Sequence, residues 1–519
     1  MNRASLTGLV ATALGAACLL AVNLDGYPLW NPDEAKHAEI AREMLVTGRW
    51  IEPLVNFEPY HHKLSPFYLL VGLAYRLLGV GELAARLVPA LACFATFLLT
   101  YRYSSRRSVE EGLLAALLLG SSGLFVYLGR FTSFDALLTC LVTASALIFA
   151  RAAEQRVVCG SILPAYVFGA LAVLVKGPVA AVLLAVPVGL AWSRGRLTRE
   201  VLRPGVGLAV AAGIVAVWVV PAALAAPDYL ADFVWVHNVE RYLWSSSAEN
   251  LFHPEPLWFF VPVVLVALLP WSPLLPVTVT ASLQERGGDR LLAEYVVWVL
   301  VFFSLSSGKL ATYVVPAFPA AAILTARWLV ERRIDDRLAG RTLARVGAGL
   351  TAPLVIAAAV AIHDRAPSAT FHAASLLPAS AAGLVVAIAG RRFTTTVAAV
   401  TVVSWGLVAT LFVFSVWSAP ALSAHMSDRD LAHAARAAGP ADAVVAYRVR
   451  PFSFLFYYRE RLVYYVPVDE YRQALFTPGR VLVLTEDRWR PHLEAIAPGV
   501  ELREIARNSI HVLYGADNP

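Results

Sequence analysis

Asn31-Pro-Asp-Glu-Ala-Lys-His-Ala-Glu-Ile-Ala-Arg-Glu-Met44 stands between two apolar segments, and its charge runs on to Tyr60-His-His-Lys63. Before it, Leu6 to Leu24 carries no charge. That run approaches the roughly 20 residues a helix needs to span a bilayer. A cleaved signal core is usually about 7–15 residues, so we read an uncleaved first span. Acids, bases and histidines beside such segments are costly to keep at a membrane edge. Their density points to chemistry at the water–lipid boundary.

The rest of the chain fits this reading. Its 519 residues are 58% hydrophobic and 15% charged, against about 25% charged in a soluble domain. This composition defines a polytopic, all-α membrane protein. Cys18, Cys93, Cys140 and Cys159 lie in or beside apolar runs and read as small buried hydrophobes, not a disulfide or metal framework. The net charge of +6 is no nucleic-acid signal, because much of the Lys and Arg falls in short loops that set orientation.

Spanning runs are predicted at about 5–24, 85–101, 111–128, 134–151, 160–175, 177–193, 204–224, 256–279, 291–306, 311–330, 344–363, 372–389 and 395–418. Pro66 to Gly79 is too short for an untilted span and reads as a re-entrant or interfacial helix. The loops 102–107, 151–156, 194–203, 285–290, 331–345 and 391–392 carry arginine and belong on the cytoplasmic side. About thirteen spans result. The non-basic connections 25–84, 129–133, 176, 225–255, 307–310 and 364–371 then share the outer face. Residues 1–420 form the membrane domain, and its outer loop 25–84 carries the active site.

Composition changes near 421. Ser427-Asp-Arg-Asp430 resembles a capped helix start, and β-rich runs follow at Ala443–Tyr447, Leu462–Val466, Val481–Thr485 and Ile510–Tyr514. Residues 421–519 are therefore expected to form a small outer-side α/β domain. There is no internal repeat.

Within the opening stretch, Asn31 suits an N-cap, Pro32 the first helical position, and Glu34 the third. Ile40, Ala41, Met44 and Leu45 make an apolar stripe, with Lys36, Glu39, Arg42 and Glu43 off it. An interfacial helix whose acids favour its dipole explains Asp33 and Glu34 without catalysis. Four cationic sites on the same face weigh against that plain account. They are Lys63, Gly129-Arg-Phe-Thr-Ser-Phe-Asp135, Lys176 in an apolar hairpin, and Lys309 with Tyr313. Boundary charges of this kind are functional candidates, although a single lysine can also snorkel.

The chain shows Asp33-Glu34 with Ala38–Met44, Tyr60–Lys63, Gly81-Glu82 with Arg86, Asp135 and Lys176-Gly-Pro178. Then come His237-Asn-Val-Glu-Arg-Tyr242, His253 with Glu255-Pro256, Pro270-Trp271, Ser304–Pro319 and Phe454–Tyr458. In order and spacing it resembles the bacterial polyprenyl-phosphate-dependent glycosyltransferases of the GT-C fold. The 4-amino-4-deoxy-L-arabinose (lipid A) transferases are the nearest branch, and protein O-mannosyltransferases are more distant. The resemblance implies a multi-pass inner-membrane enzyme with about thirteen spans, its active site and C-terminal domain on the periplasmic side. It implies a donor sugar on undecaprenyl or a similar polyprenyl phosphate, and an envelope lipid or glycan as acceptor. Asp33 matches the catalytic aspartate, with Glu34 beside it, and Asp135 matches a second acid. Lys63, Arg241 and Tyr313 match donor-phosphate residues, and Lys176 and Lys309 join them as boundary cations. Lys36, Tyr60, His62, Arg86, Arg130, His237 and His253 are candidates to stand behind these. The family's Glu-Lys-Pro-Pro is His62-Lys63-Leu64-Ser65-Pro66 here, and its usual Arg is Lys36.

The cations would stabilise an anionic phosphate leaving group, with Arg offering a planar fork and Tyr313 a hydrogen bond. Asp33 would act as general base or orient the acceptor. No cofactor is expected to be required. His62, His237 and His253 would be the ligands if a divalent metal bound, but their spacing forms no metal motif. A flippase for a lipid-linked sugar would also need a cationic site, yet the chain lacks the paired halves common in transporters.

Overall fold

The computed structural model describes residues 3–155, 162–240, 242, 255–269, 271–331, 396–423 and 425–518. Helices predominate. The chain divides into two compact units, 1–22 with 61–67 and 86–415, and 23–60 with 68–85 and 416–519. The expected boundary at 421 is thus not the only one. The charged loop and the short helix after it group with the C-terminal segment.

The first unit is a helix bundle. Its described helices include α1 (Arg3–Ala21), most of α4 (Glu82–Ser104), α5 (Val109–Gly120), α6 (Gly123–Gly129), α7 (Phe134–Gln155), α8 (Leu163–Lys176) and α9 (Pro178–Ser193). Five described helices are long and apolar enough to cross a membrane, or six if the pair α5 and α6 counts as one. That pair bends by 77°, and Ser122 caps the second piece by accepting the Phe125 N–H. The run predicted at 256–279 is not one helix. It breaks into Phe260–Ala267 and Leu275–Gln284, where Pro273 and Pro276 interrupt the backbone bonding. The runs at 344–363 and 372–389 lie outside the described residues. Among the described residues few side chains cover Pro204–Ala225, and Val217 and Leu224 stay 76% and 81% exposed. Such apolar surface suits hydrocarbon surroundings. Cys18 is likewise exposed, not buried as expected.

The bundle has two chemically distinct ends. Asp135 and Glu154 open and close α7, about 29 Å apart at 1.5 Å per residue. At the Glu154 end, Arg107 pairs with Glu154 (3.2 Å), Asp289 (3.4 Å) and Glu331 (2.5 Å), and Arg327 pairs with Glu111 and Asp289. Several loops assigned to one side by their arginines therefore meet. The Asp135 end gathers the segments 61–63, 229–237 and 312–313.

The second unit contains a four-stranded sheet in the order β3 (Ala443–Ala446), β4 (Gly479–Thr485), β6 (Val512–Asn518), β5 (Arg503–Arg507). The first pair is parallel and the other two antiparallel. Alternate residues face opposite sides, as the pleat requires. Val445, Val481, Val483 and Tyr514 pack with Tyr471 and Leu493. Val444, Leu482, Leu484 and Leu513 pack with Leu431, Phe454 and Leu455. Of the four expected strands, Leu462–Val466 forms only a bridge between Val463 and Val445, because Tyr465 turns to a φ of 55°. Arg503–Arg507 was not expected. It is an edge strand with a bulge, and its charged residues hide the pattern.

Candidate active site

The sequence-predicted residues fall into two groups, one in each unit. In the bundle, Asp135 sits in the first turn of α7 and is buried. Its Oδ1 accepts from Lys176 Nζ at 2.5 Å and its Oδ2 from Thr312 Oγ1 at 2.8 Å. Lys176 closes α8, and Gly177 makes the turn into α9 at a φ of 79°. A side chain there would meet the Phe233 ring at 2.7 Å, so the tight lysine-bearing corner depends on glycine.

The Lys176 ammonium lies 4.2 Å from the Tyr313 ring centroid and 5.4 Å from that of Phe134. The Lys63 ammonium lies 5.3 Å from the same Phe134 ring. Two cations therefore share one aromatic neighbour, an attractive placement for each. The Lys63 carbonyl accepts from Tyr229 Oη at 2.9 Å, and His61 Nδ1 lies 2.8 Å from Asp232 Oδ2. Thr312, Phe134, Tyr229 and Asp232 were not singled out by sequence reading. They are ordinary residue types, and only folding brings them to the charged ones.

Other candidates have local duties. Arg130 donates to the Leu19 and Leu20 carbonyls at 3.0 and 3.2 Å, satisfying acceptors left open at the end of α1. Lys309 donates to the carbonyls of Glu255 and Ser306 at 2.8 and 2.6 Å. Arg86 is fully buried. The His62 and His237 rings stack at 3.9 Å. Among the described residues, no three His, Cys, Asp or Glu side chains are placed to hold a metal ion. Arg241 and His253 lie outside the described residues.

In the second unit, α2 (Asp33–Thr47) follows a sharp entry. Asn31 does not cap it. Pro32 occupies that position with no side-chain bond, and Asn31 turns toward Asp428 instead. Glu34 does serve the helix start, accepting the Trp30 N–H at 2.9 Å. The helix is not the expected half-immersed one, since Glu34, His37, Glu39, Arg42 and Glu43 are buried along with Ile40, Ala41 and Met44 of the apolar stripe. Each is satisfied locally. Arg42 forks onto Glu39 at 2.6 and 2.7 Å. Glu43 accepts the N–H groups of Asn56 and Phe57, both at 2.7 Å. These two residues turn the hairpin between β1 (Leu54–Val55) and β2 (Glu58–Pro59) at positive φ, as a tight two-residue turn demands. His37 Nδ1 lies 3.0 Å from Tyr68 Oη.

Asp33 differs from these buried acids. Its carboxylate is 48% exposed and accepts from Lys36 Nζ at 2.8 Å. Protein atoms crowd it and work to raise its pKa, but Lys36, His37 and Arg450 prevail and hold it below the usual carboxylate range. Burial likewise works against the Lys36 ammonium, but Tyr60 and Asp33 raise it. Asp33 is thus an ionised, reachable carboxylate among cations. Arg450 was not anticipated, because it lies more than 400 positions further along the chain.

The fold is of the GT-C type. It is shared with the crystal structure of ArnT from Cupriavidus metallidurans bound to undecaprenyl phosphate, at a TM-score of 0.79 and 21% identity over 98% of this chain and 97% of that one. An archaeal oligosaccharyltransferase, AglB from Archaeoglobus fulgidus, matches at 0.57 and 12% identity over 95% and 71%. In sequence, residues 64–222 match the dolichyl-phosphate-mannose-protein mannosyltransferase family. The chain is 33% identical over 316 residues to undecaprenyl phosphate-alpha-4-amino-4-deoxy-L-arabinose arabinosyl transferase 1 of Proteus mirabilis (strain HI4320), covering 60% of this chain and 56% of that relative. It is 32% identical to the Sodalis glossinidius (strain morsitans) protein of the same name, covering 66% and 62%. The matched region is thus less than two thirds of each curated relative. The resemblance read from the motifs holds at the level of fold and sequence similarity.

Proposed function

We propose that this protein is an integral membrane glycosyltransferase that moves a sugar, aminoarabinose-like, from a polyprenyl-phosphate donor to an envelope acceptor such as lipid A. The observation that carries this reading is the cluster of Lys63, Asp135, Lys176 and Tyr313 at one end of the bundle. It lies in a fold shared with an ArnT whose structure holds undecaprenyl phosphate. Lys63, Tyr313 and Arg241 would hold the donor phosphate. Asp135 fixes Lys176 and, through Thr312, the segment carrying Tyr313. Asp33 would orient the acceptor or take its proton as the acceptor oxygen attacks the anomeric carbon. The bond from that carbon to the phosphate oxygen breaks, polyprenyl phosphate departs with the electron pair, and the configuration inverts. Lys36 and Arg450 around Asp33 favour an anionic acceptor such as a phosphate ester. Cationic side chains do the charge work, so a divalent metal is not obligatory and transfer should persist in chelator. The reading includes about thirteen spans, with both residue groups on the periplasmic side of a bacterial inner membrane.

The test is transfer from labelled polyprenyl-phosphate sugars to native envelope lipids, by wild type and Asp33→Ala. Label in lipid A with wild type alone is the expected result. Label crossing the bilayer without a new glycosidic bond, unchanged in Asp33→Ala, would identify a flippase.

A further inference from the structure

The residues just before Asp33 are held by the distant C-terminal segment, bond by bond. The Leu29 N–H donates to Tyr457 Oη at 2.8 Å, and Trp30 Nε1 donates to Ser423 Oγ at 2.8 Å. The Asn31 N–H donates to the Met426 carbonyl at 2.7 Å. The Asn31 side chain uses both ends. Its Nδ2 donates to Asp428 Oδ2 at 2.7 Å, and its Oδ1 accepts the Ser453 N–H at 2.8 Å.

Asp428 is the hub of this clamp and has no exposed surface. Its Oδ1 accepts from His511 Nδ1 at 2.7 Å and Asn508 Nδ2 at 3.0 Å. Its N–H donates to Ser453 Oγ at 2.8 Å, which donates back to Oδ2 at 3.3 Å. A buried carboxylate needs such donors, and losing one partner exposes the full desolvation cost of the other. The clamp therefore has one well-satisfied arrangement. It joins the entry of α2 to the segment 426–428, the helix at 452–458 and the turn before β6. Only Pro32 separates Asn31 from Asp33.

We infer that Asn31 and Asp428 are positioning residues for Asp33, so that the C-terminal α/β segment sets the geometry of the transfer step. The inference rests on the functional reading above, in which Asp33 acts on the acceptor. Misplacing a reacting group by about 1 Å is enough to lower a rate about 100-fold. Small displacements at the α2 entry should therefore appear in kcat.

The experiment uses the full-length enzyme in lipid nanodiscs. Five forms are compared with wild type and Asp33→Asn: Asn31→Ala, Asn31→Asp, Asp428→Asn, the exchanged pair Asn31→Asp with Asp428→Asn, and Asn31→Ala combined with Asp33→Asn. Transfer kinetics, thermal melting and binding of undecaprenyl phosphate are measured on each. Asn31→Asp sets two carboxylates against each other. The exchanged pair restores one donor facing one acceptor. We expect kcat to fall about 100-fold in the single variants, with undecaprenyl phosphate binding unchanged and substantial recovery in the exchanged pair. We also expect Asn31→Ala to cost nothing further when Asp33 is already Asn, since a residue acting through Asp33 has no effect once that carboxylate is gone. Folded single variants with wild-type kcat would overturn the inference while leaving the role of Asp33 intact. So would an additive loss on top of Asp33→Asn. Full activity in Asp33→Asn itself would overturn the functional reading and this inference together. If Asp428→Asn fails to fold, Asn31→Ala and the exchanged pair still decide the matter.

Discussion

The molecule contains two aspartate–lysine pairs with the same groups and opposite surroundings. Asp135 and Lys176 are 6% and 8% exposed, while Asp33 and Lys36 are 48% and 20% exposed. In the bundle both charges are out of water, so each needs the other, and Thr312 fills a remaining lone pair. Such a pair fixes helices in place, because removing either partner strands the other charge out of water. In the second unit the carboxylate is reachable from solvent and its cation holds it ionised. The contrast gives them different surroundings to work from: Asp135 is a structural partner of Lys176 within the bundle, and Asp33 is the reachable carboxylate of the second unit.

Separating the two pairs experimentally starts with Asp135. Asp135→Ala leaves the Lys176 charge buried alone, a loss of about 3–5 kcal/mol. Melting should show it, and adding Lys176→Met should return much of it. A melting temperature unchanged by Asp135→Ala would erase the contrast. For the exposed pair the expected loss is catalytic: Asp33→Ala should melt like wild type while transfer falls by about 100- to 10,000-fold, the range for a general base. Lys63→Ala should come next, weakening polyprenyl-phosphate binding by about 10- to 100-fold, as for a hydrogen bond to a charged group. An unchanged donor Kd would remove Lys63 from the phosphate site. The smallest effect sharpens the comparison. Lys36→Met removes the nearest cation from Asp33, whose pKa is now depressed, so that pKa must rise. The acidic limb of the pH–rate profile should move to higher pH, with activity retained near neutrality. A limb that stays put would mean that Asp33 does not control it.

Charge in an apolar context was the feature most legible in the sequence. Lys176 and Asp135 stand out because hydrocarbon surroundings make any charge conspicuous, and both proved to meet. Several described helices, such as Glu82–Ser104 and Phe134–Gln155, followed from run length for the same reason. The pairing itself was not legible, since Lys176 read as a phosphate ligand and its bond to Asp135 depends on how α7 and α8 pack. Asn31 shows the opposite failure. Its local signal as a cap is strong, but several bonds from residues near 426–453 outweigh the single one a cap would make. Arg130 reads as a boundary charge, and only the position of the α1 end makes it a cap for another helix. Arg503–Arg507 escaped notice because an edge strand needs apolar residues on one face alone, and the bulge shifts even that alternation.

That edge strand bears on how many copies of the protein can share a membrane. Anchored proteins are confined to two dimensions, where neighbouring soluble segments meet far more often than in free solution. An open sheet edge under those conditions invites strand-to-strand pairing between molecules. Here β5 carries Arg503, Glu504 and Arg507, with Arg507 forked onto Glu504, and a bulge breaks its register. A second edge would have to bury those charges and match that irregularity. The segment is built to stay solitary in a crowd.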